Sequence, residues 1–192
     1  MVLAATAALG STAMAQERPP LLPTRDAAVE YRVEGKPGSR ALPVRVHYSG
    51  ERLRAEAENM PGYVIVNRQE DRAMLVMEQP RSFVEVPLQS GLTRDYLLND
   101  DMTYAKRGKD NVAGIACTVW DVQGPQGRTA TVCISADGLI LRGEGHDPKY
   151  GDGRLEAISV AYGAQPDRLF QPPAGYQRMQ IPFLPGLTGP QK

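Results

Sequence analysis

The stretch from Val112 to Arg142, VAGIACTVWDVQGPQGRTATVCISADGLILR, constrains this chain more than any other. It reads as two strands joined at Gly124-Pro125-Gln126-Gly127, then a tight Asp137-Gly138 turn into a third. Both cysteines of the protein, Cys117 and Cys133, lie on opposite arms of the first hairpin. The turn is centred near position 125, midway between them. Folding there brings the two thiols opposite or nearly opposite, within reach of a disulfide.

What the pair means depends on compartment, and the start of the chain bears on that. Met1 to Ala15, MVLAATAALGSTAMA, carries no charge, is rich in Ala and Leu, and ends Ala13-Met14-Ala15. This is the apolar region and small-residue cleavage site of a secretory signal peptide, without the usual positive start. About 15 residues of mostly small side chains are too short to span roughly 30 Å of hydrocarbon. No later segment is long and apolar enough to be transmembrane. The expectation is a periplasmic or secreted protein, of which 177 residues remain after cleavage, enough for one domain with a sizeable core. In an oxidising compartment an even cysteine pair is a structural disulfide before it is anything else. A redox pair would favour Cys-x-x-Cys at a helix start, and a metal site needs ligands beyond His47 and His146.

Lysine and arginine together number 22, balanced by 22 acidic residues, with no block of like charge. That removes the electrostatic case for nucleic acid and for a polybasic membrane patch. Sixteen prolines and 19 glycines between short apolar runs suit many turns rather than long helices. Gln16 to Asp26 reads as a flexible lead-in. Ala27–Val33, Leu42–Tyr48 and Arg52–Ala57 alternate apolar and polar residues, as antiparallel strands with one wet face do. Tyr63–Asn67, Ala73–Glu78 and Ser82–Pro87 are apolar on both faces, so they need cover on both.

Leu92 to Met102 breaks the two-residue period, and Leu92, Tyr96 and Leu97 fall at helical spacing, with Thr93 as a cap. One short helix across the sheet is expected there. Trp120, the only tryptophan, reads as a core anchor and second as a cavity wall. Gly145–Gly153, GHDPKYGDG, holds His146, Asp147 and Asp152 but matches no calcium loop, and is read as a long solvated turn. Arg154 to Tyr162 is the last clear strand, and Leu169-Phe170 before Pro172-Pro173 a docking point for the tail. The tally is a mainly β chain: a curved antiparallel sheet of about nine or ten strands forming a half-open barrel wrapped on one short helix. Residues 27–178 form its single domain, and 179–192 a Pro/Gly-rich tail.

Val112-Ala113-Gly114 before Cys117 and Trp120, Val132-Cys133 followed by Asp137-Gly138 and Leu141-Arg142, and Leu169-Phe170 before Pro173-Ala174-Gly175-Tyr176 carry a resemblance. The chain resembles an uncharacterised family of secreted bacterial proteins with the half-barrel superfold of the periplasmic lipoprotein carriers (LolA/LolB-like). The resemblance implies an apolar concave face under a helical lid that holds acyl chains.

Two functions follow as expectations. One is a binding or carrier protein for a lipid, acyl chain or other apolar ligand, with Met74, Val76, Met77, Tyr96, Leu97 and Trp120 as cavity candidates. The other is an envelope interaction or scaffold protein with a filled core. No glycine-framed nucleophile surrounds Ser82, Ser90, Ser135 or Ser159, no carboxylate pair stands in an apolar setting, and no motif asks for a cofactor. A non-enzyme is expected.

Overall fold

Short runs of alternating apolar and polar residues, each closed by a turn, dictate a meander, and the chain forms one. We describe it from a computed structural model, over residues 17–36, 38–88 and 97–180. Twelve strands follow in order: β1 Ala27–Glu34, β2 Leu42–Ser49, β3 Arg52–Ala57, β4 Gly62–Asn67, β5 Arg72–Met77, β6 Ser82–Pro87, β7 Thr103–Val112, β8 Ile115–Gln123, β9 Thr129–Ser135, β10 Ile140–Asp147, β11 Gly151–Tyr162 and β12 Gln177–Met179. They make a single sheet in the order β12-β6-β5-β4-β3-β2-β1-β11-β10-β9-β8-β7. Among the described residues β12 and β7 do not pair with each other, so the curved sheet is open. The β7 edge is blunted by Lys106, Arg107 and Lys109 and by a bulge between Lys106 and Gly108.

Four sequence expectations need correction among the described residues. The count is twelve strands, not nine or ten, partly because β12 has three exposed residues and no alternation to reveal it. β12 also pairs with β6 in parallel, so the sheet is not wholly antiparallel. Gly145–Gly153 is mostly strand: Gly145 pairs with Gly153 and His146 with Asp152, and only residues 148–150 turn. Glycines there mimic a loop. The fourth correction concerns the helix. No α-helix occurs among the described residues, and 97–102 is a run of bends and turns. Asn99 is the reason: its side chain donates to the Leu97 carbonyl at 2.9 Å and accepts from the Asp101 N–H at 3.0 Å, bonds that compete with a helical turn. Residues 92–96, with Thr93 and Tyr96, lie outside the described residues.

The disulfide joins Cys117 to Cys133 with Cα atoms 5.4 Å apart. Gln123 pairs with Thr129, so the hairpin centres on Gln126, one residue beyond the midpoint of the cysteines. Cys117 therefore faces Ser135, while Cys133 faces Val119, and the bond runs diagonally. Closing this loop contributes about 3 kcal/mol in the chain-entropy view.

β4 and β5, apolar on both faces, meet a cover on each, complete on one and partial on the other. On one face Val66 and Ala73 pack with Leu88 and Leu97, from the segment that crosses from β6 to β7. On the other, Tyr63, Ile65, Met74 and Val76 pack with Phe170, Leu169 and Tyr176. The C-terminal strap carrying Phe170 is clamped by arginines of β3. Arg52 Nη2 lies 2.9 Å from Asp167 Oδ1, and Arg54 Nη1 donates to the Leu169 carbonyl at 3.3 Å. At the N-terminal side, Thr24 N–H donates to the Asp137 carbonyl at 2.8 Å. A Cβ at Gly138 would meet the Leu22 carbonyl oxygen at 2.3 Å, and its φ is +89°, so this turn requires glycine.

Candidate functional site

The register of β1, β11, β10, β9 and β8 places two rows side by side on the face crossed by Leu97 and Leu98. One runs Val33, Leu155, Gly143, Val132, Trp120, and the next Gly153, Gly145, Ala130, Val122. Large side chains bound the second row on the β8 side, but its middle has almost none. The result is a groove of about 570 Å³ with Leu97, Leu98, Met102 and Ile140 among its walls. None of Gly143, Gly145 and Gly153 has a left-handed backbone. A Cβ would meet its nearest neighbour at 3.5 Å at Gly143, 3.4 Å at Gly145 and 3.8 Å at Gly153, ordinary contact distances. Neither a turn nor a close backbone approach demands glycine here. What the three glycines do is lower the floor, at about 0.5–1 kcal/mol each relative to alanine.

A second cavity of about 90 Å³ shares Leu97, Leu98 and Ile140 with the groove and reaches Leu21, Tyr48 and Arg68. Arg68 Nη1 donates to the Leu98 carbonyl at 3.1 Å and so ties the crossing segment to the end of β4. Burial pushes this guanidinium below its ordinary value, with the Glu51 carboxylate acting in the opposite sense. Beneath it, Tyr31 donates to the Ile140 carbonyl at 2.8 Å and sits 3.2 Å from the Tyr48 hydroxyl; burial pushes both phenols up.

The mouth of the groove is charged. Arg128 Nε donates to Asp147 at 2.6 Å, with both side chains largely buried. Asp147 is held down to about 2, chiefly by that bond; partial burial opposes it, and the N–H groups of Lys149 and Tyr150 add to it. Because the folded value lies below the ordinary carboxylate value of about 4, this group stabilises the β10–β11 turn at neutral pH. The contribution is lost as pH falls through about 2. In an acid-unfolding series, Asp147→Asn should flatten the stability curve between about pH 4 and pH 2. A slope identical to that of the unmodified protein would contradict the assignment.

The other face of the same strands is polar. Asp121, Thr131, Glu144 and Arg154 stand in register above a trough of about 650 Å³. Thr131 donates to Asp121 at 3.1 Å, Arg107 to Asp121 at 2.6 Å, and Arg154 to Glu156 at 2.7 Å. His146 Nδ1 lies 2.7 Å from Asp152, and His47 Nδ1 lies 2.7 Å from the Gln165 amide oxygen. Among the described residues, no three His, Cys, Asp or Glu side chains are grouped to hold a metal ion.

The cavity candidates separate. Leu97 lines the groove. Trp120 stands at the end of its floor row but is only 4% exposed, packed with Met102, Tyr104, Val122, Val132 and Ile134. Met74 and Val76 lie on the opposite face, under Phe170. Met77 alternates with Val76 and so shares the groove's face, half-buried, over a different pair of strands. Tyr96 lies outside the described residues. The glycine floor is not among the sequence candidates. Its signal is two-residue spacing, Gly143-x-Gly145 and Gly151-x-Gly153, within otherwise strand-like sequence.

The family model described as "Domain of unknown function (DUF4412)" matches residues 44–145. No curated protein matches the sequence. Among solved structures, an uncharacterized conserved protein from Thermus thermophilus is similar with a TM-score of 0.56 and 13% identity, over 81% of this chain and 90% of that one. The Pseudomonas aeruginosa MucA/MucB complex gives a TM-score of 0.51 and 17% identity over 85% of this chain, which spans 62% of the matched chain. PNGF-II gives 0.54 and 12% over 81% of this chain, which spans 30% of that one. At these identities the likeness is one of fold. No helix among the described residues is long and apolar enough to cross a membrane.

Proposed function

The chain belongs to the DUF4412 family, a domain of unknown function, and we propose that it is a binding or carrier protein of the bacterial envelope that seats an apolar ligand, a lipid or acyl chain, in the groove over β8–β11. The observation that carries this reading is the floor of Gly143, Gly145 and Gly153, which carries no side chains although a Cβ would fit at each position. A groove of about 570 Å³ walled by Leu97, Leu98, Met102 and Val132 is of the size and chemistry of a ligand pocket. Export through Met1–Ala15 belongs to the proposal, and the Cys117–Cys133 disulfide suits an oxidising compartment. Arg68 would hold the crossing segment down on a bound chain. No reacting group is part of this proposal: the groove binds and shields.

The test is to purify the mature protein gently from the periplasm and record its native mass before and after extraction with organic solvent. Extra mass that extraction removes, with fragments of an acyl chain, is the expected result. A bare chain that also fails to take up a fluorescent long-chain fatty acid would overturn the proposal. It would favour an envelope-protein partner instead, the kind of contact that MucB makes with MucA in their complex.

A further inference from the structure

One register row crosses β2, β3, β4, β5, β6 and β12 with Val46, Ala55, Val64, Leu75, Val84 and Met179. All six are apolar and, by strand alternation, share one face. The ends of the β2–β6 part are closed, since Val46 and Val84 are buried. Its middle is open: Val64 is 37% exposed, Leu75 49%, and Met179 beyond Val84 41%. The described segments that cross this face cover other parts of it. Leu97 packs on Val66 and Ala73, while Leu21 and Leu98 pack beside Trp120. Among the described residues nothing covers Val64, Leu75 and Met179, and neighbouring aliphatic side chains left open in this way offer a docking surface.

The chain itself supplies an occupant at that spot. The described residues end at Gln180, directly after Met179, which lies in the row. Twelve residues follow, IPFLPGLTGPQK, with Ile181, Phe183, Leu184 and Leu187 ahead of a single charge at Lys192. The Gln177 N–H donates to the Arg81 carbonyl next to β6, so in a continued β12 the odd-numbered residues would donate to the ladder; Pro185 has no N–H to give, which limits any lengthening of β12. From β12 to β4 is three strand spacings, about 14 Å, which about five extended residues reach. Tethering at the row's own edge gives an effective concentration in the millimolar range without any new contact.

We propose that residues 181–187 form an intramolecular cover, with Ile181, Phe183 and Leu184 seated on Val64, Leu75 and Met179. The row lies over β3–β6 and the groove floor over β8–β11, so the two proposals stand or fall separately.

The experiment places a single free thiol in the row with Leu75→Cys; the native cysteines stay bonded to each other. Labelling by a maleimide is compared in the full mature chain and in one ending at Gln180. Removal of the tail should speed labelling about fivefold or more. The full-length Phe183→Ser/Leu184→Ser variant should do the same, and it decides alone if the shortened chain does not fold. Equal rates would overturn the proposal. A photocrosslinker at position 183 should join the peptides carrying Val64 or Leu75 within one chain. Crosslinks between two copies would make a second copy the occupant. Protection of the introduced thiol that appears only with added long-chain fatty acid would make it a ligand. Either result removes the tail from the row.

Discussion

Phe170→Ala is expected to destabilise the protein by about 3–5 kcal/mol, the range for emptying a well-packed aromatic site. Phe170 is only 3% exposed and fills the space above Tyr63, Ile65, Met74 and Val76 on the strap face of β4 and β5. These side chains are too apolar to face water, so removing the ring opens a cavity and weakens the strap together. The Arg52 guanidinium lies 4.7 Å from the ring centroid and also meets Asp167, so one side chain links the ring to the strap's polar anchor. An exposed ion pair alone is worth about 0–1 kcal/mol, which is why the ring rather than Asp167 should dominate. Urea unfolding of Phe170→Ala and Asp167→Ala checks this ordering. Phe170→Leu should keep most of the stability. A loss below about 1 kcal/mol in Phe170→Ala would mean that the strap does not hold the sheet.

The same region shows what is legible in the sequence. Strict alternation marks the positions of β1 to β3 and the wetter face of β1 and β2, whereas the polar face of β3 lies under the strap, with Arg52 and Arg54 bound to it. Apolar residues on both sides of β4 and β5 announce two covers, and the structure supplies both, from Leu88 and Leu97 on one face and Phe170 on the other. What alternation cannot tell is which face meets which cover. Met74 and Val76 differ from Leu75 and Met77 only in parity, and parity acquires meaning only through long-range pairing. The disulfide is readable because Cys117 and Cys133 straddle one local turn. Its diagonal offset is not, because it depends on Gln126 at the hairpin centre, with a φ of 59°, a conformation more typical of glycine. β12 is hidden for a different reason: three exposed residues owe their pairing with β6 to the strap that delivers them. At the candidate site, glycine is the misleading letter. Along Gly145–Gly153 it reads as a turn, whereas Gly145 and Gly153 face each other across a ladder.

That ambiguity of glycine defines the remaining experiment with a large expected effect. Gly143→Val with Gly145→Val should reduce the affinity for a long-chain fatty acid tenfold or more, a change of about 1.4 kcal/mol. The substitutions point four methyl groups into the groove, where the floor rows otherwise present only backbone between Leu155, Val132 and Ala130. Their cost to folding should be small. The new Cβ atoms meet nothing closer than 3.4 Å, and valine suits a strand better than glycine does. Stability should therefore hold or rise by about 0.5–1 kcal/mol per site while uptake falls. This opposition separates a groove kept open for a ligand from a packing defect, since filling a mere defect would raise stability and leave uptake unchanged. Thr131→Val, on the polar face of β9, is the control and should leave uptake intact. A double-valine protein that is stable and still takes up the fatty acid would move the ligand off the glycine floor. The rest of the groove face, including Met77 and the Leu75 row, would then be the place to look.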